Sequence, residues 1–545
     1  MIGRVWRMSR FVGMFIIAQH EEKNMSDLIH LSATEIAQKI KTGQISACEV
    51  VEAHIARIEA THSQLNAVVM PRFDEARREA NQADAARLRG EAIGPLHGVP
   101  ITVKDQFYVR GLPTTYGVAR LKNNIAAADG AMVSALRQAG AIILGKTNVP
   151  QTLGVIETDN TLFGRTHNPW NLERTPGGSS GGEAAIIAAG GSPLGLGGDF
   201  GGSIRVPSAN CGIYGLKPTA RRLPGDPLPV QTAMGAEGIV AQPGPMARHV
   251  ADLTLAFQVM VNHNVAHPTG LNPPVPFRDP QAVAVNRLRV ALLPEIAGWV
   301  PAPAIRRALR EAAEALRQQG AVVEEWADHP DTHEGVHLFF RIVASDGFSS
   351  VSQILAGEEP IPLMAPNAQL TGMPNALIPI LSALLARSGR RRTSQMLQKA
   401  RKQSAAGLTN LLGERLRYEG RFAAALSSAG YDAILCPALP LPAVPHQTSN
   451  TLADFWSSML LFNVLGFPAG VAPITRVRPG EESDRPDSSE KSEQAARMVE
   501  QGSAGLPVAV QIAAPHWRED VVLALLGALE SQFRGQPDFP ARPPL

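Results

Sequence analysis

PGGSSGGEAAIIAAGGSPLGLGGDFGGSIRVPSANCGIYGLKPT occupies residues 176–219 of the 545-residue chain. Two serines stand out in it. Ser179 lies in Gly177-Gly178-Ser179-Ser180-Gly181-Gly182, and Ser203 in Gly201-Gly202-Ser203-Ile204-Arg205. Glycine removes the Cβ that keeps a backbone amide at a distance and opens dihedrals closed to other residues. A hydroxyl among clustered N–H groups therefore fits a nucleophile beside an oxyanion hole. The usual partner of such a serine is a histidine, yet none lies between His167 and His249. A base has to come from elsewhere in the chain.

Upstream, Gly98-Val99-Pro100-Ile101-Thr102-Val103-Lys104-Asp105 reads as a short strand of apolar and β-branched residues carrying one lysine. A lysine inside such a run is expected to be buried. Burial disfavours the ammonium form and lowers the pKa. A base working near neutrality needs a pKa of roughly 7–8 rather than about 10.4. That difference of about 3 units corresponds to roughly 4 kcal/mol between the two protonation states. The competing reading is a lysine that snorkels out of an edge strand.

Taken together, these segments resemble the amidase signature family of serine hydrolases, which use a Ser-Ser-Lys triad in place of Ser-His-Asp. The resemblance runs from about residue 31 to about residue 526 and is densest over residues 176–219. It implies one large α/β domain, a mixed central β-sheet covered by helices on both faces. It implies that Ser203 is the nucleophile, that Ser179 is the bridging serine with a cis peptide bond before it, and that Lys104 is the general base. The amides of Phe200, Gly201, Gly202 and Ser203 match the oxyanion hole. Phe200 departs from the threonine or isoleucine more usual at that position. Only its N–H is needed, so the ring is expected to narrow or reshape the nearby pocket. Ser180 and Arg205 are expected as supports, Ser180 hydrogen-bonding within its loop and Arg205 bracing the turn after the nucleophile. The implied reaction is hydrolysis of a small-molecule amide through an acyl-serine, with no cofactor and no metal.

Two other motifs compete for the same glycines. Gly177-Gly178-Ser179-Ser180-Gly181 satisfies the G-x-S-x-G nucleophile elbow, which requires a strand immediately before the serine. The preceding residues 166–176 are polar and broken by prolines, so that context is missing. Gly140-Ala141-Ile142-Ile143-Leu144-Gly145-Lys146-Thr147 satisfies G-x-x-x-x-G-K-T. A phosphate-binding loop needs a strand, then an open loop, then a helix. Here a helical stretch comes first and the middle residues read as a buried strand.

Composition fits a soluble enzyme. The chain has 51 basic and 49 acidic residues, a net charge of +2, which leaves no broad electrostatic footprint for nucleic acid. Its 44% hydrophobic content supports a large core. Cys48, Cys211 and Cys436 are too scattered for a disulfide framework or zinc site, so a reducing cytoplasm is the default expectation. Length alone suggests about three or four domains. The resemblance overrides this in favour of one domain over 25–545. Ser32-x-x-Glu35 and Ser46-x-x-Glu49 read as capping boxes, and residues 304–319 as an amphipathic helix ended by Gly320 before an apolar 321–323. Residues 1–24 read as a peripheral extension, with Met25 opening the family-like part. The apolar run 11–18 is too short to span a bilayer, which takes about 20 residues. Residues 271–280 read as a proline-rich connector. The polar, charged residues 476–503 read as a disordered insertion.

Within the family, residues 190–197, 467–471 and 505–511 look most like fatty-acid amide hydrolases. An N-acyl (fatty acid) amide is therefore the first-choice substrate. A short-chain or aryl amide stays open, as does a glutaminase subunit of a tRNA-dependent amidotransferase. The late segments 432–437, 462–470 and 505–511 are read first as core packing rather than substrate contact. Leu377, Ile380, Leu381, Leu384 and Leu385 fall at helical spacing, followed by Arg387, Arg390, Arg391 and Arg392. An amphipathic helix with a cationic flank fits an interfacial anchor, provided Pro379 sits in its first turn. The expectation is peripheral membrane contact through 373–392, with a homodimer contact as the alternative.

Overall fold

Both capping boxes form. Ser32 and Ser46 accept the N3 amides of helices Ala33–Lys41 and Ala47–Leu65, while Glu35 and Glu49 take the cap amides in return. These helices open the computed structural model, which describes residues 27–227, 238–267 and 271–545. Residues 1–24 lie outside the described residues.

Eleven strands build one mixed sheet. They are β1 (Val68–Pro71), β2 (Pro100–Lys104), β3 (Ile142–Thr147), β4 (Leu194–Asp199), β5 (Tyr214–Lys217), β6 (Gln242–Ala247), β7 (Arg289–Leu292), β8 (Val322–Glu325), β9 (Ala433–Pro437), β10 (Ala469–Arg476) and β11 (Pro507–Ala513). Their order is β1-β3-β2-β4-β6-β5-β10-β11-β9-β7-β8. β2 runs parallel to both β3 and β4, the middle of the sheet from β4 to β9 is antiparallel, and β9, β7 and β8 are parallel again. Every residue of β2, β3, β4 and β11 is buried. Burial on both faces is why these strands read as continuous apolar or glycine-rich runs rather than alternating ones. Lys104 ends one of them, in the interior of the sheet and not at an edge.

The helices Gly181–Ala188 and Arg205–Cys211 are buried at every residue. Each begins just after one of the two serines, so both serine loops are backed by packed helix. The helix Ala131–Gln138, Gly140 at φ +96° and then β3 make up the other glycine motif. Lys146 sits inside β3, fully buried, 3.3 Å from Asp105. It is a strand residue with a structural counter-charge, not a phosphate ligand. The amphipathic helix near residue 304 spans Pro303–Gln318, and Gly320 follows at φ +90°.

Two expectations are corrected. Residues 476–503 are ordered by their own charges. Arg485 donates to Glu493 and Glu500, each at 2.7 Å, and approaches the ring of Trp299. This fixes the helix Lys491–Glu500, whose Ala495, Ala496 and Val499 are buried in one cluster with Trp299, Leu439 and Leu441. Composition counts charges as solvated, whereas here they are paired against a wall of the core. Arg392 also differs. It does not join a cationic flank but lies over Trp299, 4.4 Å from ring centroid to Cζ, and donates to the carbonyl of Gly298. The rest of the segment does carry an unpartnered apolar face. Pro379 sits in the first turn of the helix Ile378–Arg387, and Leu377, Ile380 and Leu384 are 49–61% exposed. No helix among the described residues is long and apolar enough to cross a membrane.

Replacing Arg485 with alanine leaves the fully buried Glu500 carboxylate without its cation. Chemical denaturation of Arg485→Ala is expected to show a loss of about 3 kcal/mol. Limited proteolysis should then cut within 476–503. An unchanged midpoint and digestion pattern would mean that the segment is not held this way.

Candidate active site

Three loops meet at the end of β2. Lys104 closes β2, opposite Thr147 of β3, and its neighbour Val103 stands opposite Leu196 of β4. Lys104 Nζ lies 2.7 Å from Ser179 Oγ and donates to the carbonyl of Gly198 at 3.0 Å. Ser179 is 2% exposed and Lys104 is fully buried. The Gly178–Ser179 peptide is cis. Ser180 joins the two serine loops. Its N–H donates to the Ser203 carbonyl at 3.0 Å, and its hydroxyl donates to the Gly198 carbonyl at 3.3 Å.

Burial lowers the Lys104 pKa to about 7, against the opposing pull of the Asp199, Glu183 and Asp105 carboxylates. A large share of the lysine is then the free amine at neutral pH. A free amine has two N–H groups and one lone pair. One N–H is used on Gly198, and the lone pair can face the Ser179 hydroxyl.

Between residues 174 and 219 every side chain is buried except Phe200, Gly201 and Ser203. Solvent therefore reaches this densely packed stretch at the serine itself. The surroundings are apolar. The Phe200 ring lies 5.8 Å from that of Phe339, and a Cβ on Gly201 would meet Phe339 at 2.9 Å and Leu460 at 3.3 Å. At Gly202 a Cβ would sit 2.7 Å from Met459, on a backbone with φ +100°, so both sterics and dihedral demand glycine there.

The loop conformation rests on Asp199, a residue the sequence reading did not select. Its carboxylate accepts the N–H of Gly202 at 2.8 Å and of Ile204 at 3.2 Å. It also takes two bonds from Arg205, at 2.9 and 3.0 Å, and one from Asn463 at 3.0 Å. Burial works to raise the Asp199 pKa, but the Arg205 guanidinium outweighs it and holds the carboxyl well below the usual range. Arg205 reaches further, to Gln511 at 2.7 Å and Asn463 at 2.6 Å. It thus braces the Ser203 loop, and the late segments 462–470 and 505–511 supply two of its anchors. A signal for Asp199 was present. An acid in a glycine-dense buried run, six residues before an arginine, is a charge that must be paired.

One of the expected oxyanion-hole amides has a partner inside the loop. The Gly202 N–H is already committed to Asp199. Of the four expected amides, Phe200, Gly201 and Ser203 remain as candidates to face an oxyanion.

Comparison with known proteins identifies the class. The sequence profile of the Amidase family matches residues 49–523, so the chain belongs to that family and is an amide-hydrolysing enzyme. It is similar to fatty-acid amide hydrolase 1 of Sus scrofa, 32% identical over 516 residues, which are 94% of this chain and 87% of the relative. It is also similar to a glutamyl-tRNA(Gln) amidotransferase subunit of Acidothermus cellulolyticus, 33% identical over 533 residues, covering 94% and 96% of the two chains. Among solved structures, a fatty acid amide hydrolase matches with a TM-score of 0.80 at 28% identity, over 93% of this chain and 86% of that one.

Asp199→Asn removes the counter-charge of a fully buried arginine and an acceptor for two loop amides. The expected result is a stability loss of about 3–5 kcal/mol and a fall in kcat/KM of about 100-fold from loop misplacement. Equal kcat/KM in the variant and the parent would show that the clamp does not set the loop.

Proposed function

We propose that this amidase cleaves N-acyl amides with long apolar acyl chains through an acyl-enzyme on Ser203. The apolar wall at the half-exposed serine carries the reading: Phe200, Phe339, Met459 and Leu460 would solvate a hydrocarbon and offer nothing to a polar acyl group. Similarity to fatty-acid amide hydrolases supports it. In this scheme neutral Lys104 takes the proton of Ser179 as Ser179 takes that of Ser203. The Ser203 oxygen adds to the carbonyl carbon. Loop amides receive the negative charge, each donor being worth roughly 2.7–4 kcal/mol. Ser179 then protonates the departing amine, taking the proton back from Lys104. Water then gives its proton to the same relay and adds to the acyl carbonyl, and Ser203 departs with the proton that Lys104 returns through Ser179, which frees the acid.

Substrates of this kind partition into lipid. The exposed Leu377, Ile380 and Leu384, flanked by the exposed Arg387, Arg390 and Arg391, support peripheral contact with a membrane surface. A second reading, the glutaminase subunit of an amidotransferase, has one observation in its favour, the 33% identity to such a protein over nearly the whole chain. A glutamine side chain would gain little from the wall around Ser203.

Primary amides of increasing acyl length decide the substrate. The expected trend in kcat/KM is a rise of up to about fourfold per buried methylene, from roughly 0.8 kcal/mol each. A steady fall with length would reject the lipid reading, and turnover of glutamine alone would favour the glutaminase.

Ser203→Ala should lower kcat at least about 10³-fold. For Lys104 the sign follows from its role as free base. Activity should be level above pH 7 and fall about tenfold per unit below it as the amine protonates. Lys104→Ala should lose about 10²–10⁴-fold near neutrality, less at high pH, and lose this acid limb. An unaltered limb in that variant would remove Lys104 from the mechanism.

A further inference from the structure

We propose that Glu183 is a positioning residue for the reaction: a carboxylate, fixed on the Lys104 face of the sheet by two threonine hydroxyls, that keeps the lysine basic enough to take the Ser179 proton. The proposal rests on the reading of Lys104 as general base.

Placement comes from the strand register. Glu183 stands in the first turn of the helix that follows Ser179 and Ser180, and it is fully buried. One of its oxygens accepts from Thr102 Oγ1 and the other from Thr147 Oγ1 at 2.8 Å. Thr102 is two residues before Lys104 on β2, and Thr147 is the residue opposite Lys104 on β3. Side chains two apart on a strand, and side chains opposite each other on paired strands, share one face of a sheet. The carboxylate therefore lies on the Lys104 face. It also ties the helix behind Ser179 to the strand that carries Lys104. Space for it is reserved on the third strand, where a Cβ on Gly195 would come within 1.8 Å of Glu183 Oε1.

The partners of the neighbouring carboxylates single Glu183 out. Three carboxylates act on Lys104: Asp199, Glu183 and Asp105. Asp199 is matched by Arg205, with Lys217 close by and Asn463 hydrogen-bonded to it. Asp105 is matched by Lys146 and by the amides of Thr115 and Tyr116. Glu183 has two hydroxyls, and the cation that acts on it is Lys104. One donor on each oxygen is the solvation that an ionised carboxylate needs once water is excluded. Burial raises Glu183 to about 7 against the two threonine hydroxyls and Lys104, each of which favours the carboxylate, while burial lowers Lys104 to about 7. A lysine buried with no anion beside it falls by up to 3–5 units. Such an amine would be neutral but too weak to draw a proton through Ser179.

The proton account is closed. Ser203 loses its proton to Ser179 and Ser179 its own to Lys104, which becomes the ammonium. Glu183 exchanges no proton. It stabilises that ammonium until Ser179 takes the proton back for the leaving amine.

The test is the pH profile of kcat/KM for full-length Glu183→Gln, run beside the unmodified enzyme and Lys104→Ala on the same amide. Glutamine keeps the shape and removes the charge. The acid limb should move down by about one pH unit. The plateau kcat should fall about three- to tenfold, as expected of a weaker base, with KM little changed. Thr102→Val, which keeps the carboxyl but removes one donor, should move the limb in the same direction by less; it decides the matter if Glu183→Gln does not fold. A lowered kcat with the limb in place in both variants would reduce Glu183 to a structural tie and overturn the proposal. A limb that persists in Lys104→Ala would instead overturn the assignment of the base on which the proposal rests.

Discussion

A dry contact of 2.7 Å between Lys104 Nζ and Ser179 Oγ is the constraint on which the rest of the molecule depends. An ammonium buried without compensation is unstable, and an amine exposed to water is protonated at neutral pH. A lysine held in the interior with carboxylates near it can be both neutral and basic near pH 7. Placing it at the end of a central parallel strand achieves this. β3 and β4 flank it on both sides, and two fully buried helices back the serine loops.

The Ser203 loop obeys a second constraint. Ser203 has to stand at the edge of solvent while everything behind it stays packed. Asp199 and Arg205 meet that need as a buried ion pair whose remaining hydrogen-bonding capacity is spent on the backbone of the same loop and on Asn463 and Gln511. A buried pair adds little net stability. What it provides here is direction: the amides of Gly202 and Ile204 are turned inward onto Asp199.

How much was legible before the structure follows from the range of each signal. Local signals read well. The capping boxes, the helix after residue 303 and the helix–glycine–strand character of residues 131–147 all rest on neighbours within a few positions. The serine loops and Lys104 were legible because glycine clusters and a lone lysine in an apolar strand are rare enough to mark themselves. Long-range pairing was not legible. Arg392 looked like part of a basic surface run until Trp299 was seen beneath it. Residues 476–503 looked disordered because composition is blind to the match of Arg485 with Glu493 and Glu500. Asp199 carried only a weak local signal, an acid in a glycine-dense run before Arg205, and Glu183 carried none, since its role exists only once β2, β3, β4 and the helix after Ser180 converge.

The central claim is that acyl transfer passes through Ser203, with Ser179 carrying only protons. Acid-quenching the enzyme during turnover of a long-chain N-acyl amide, followed by mass spectrometry with fragment-ion localisation, tests it directly. The account predicts a single acyl adduct, on Ser203, with Ser179 unmodified. An adduct on Ser179, or turnover with no adduct when release of the acid is rate-limiting, would contradict it.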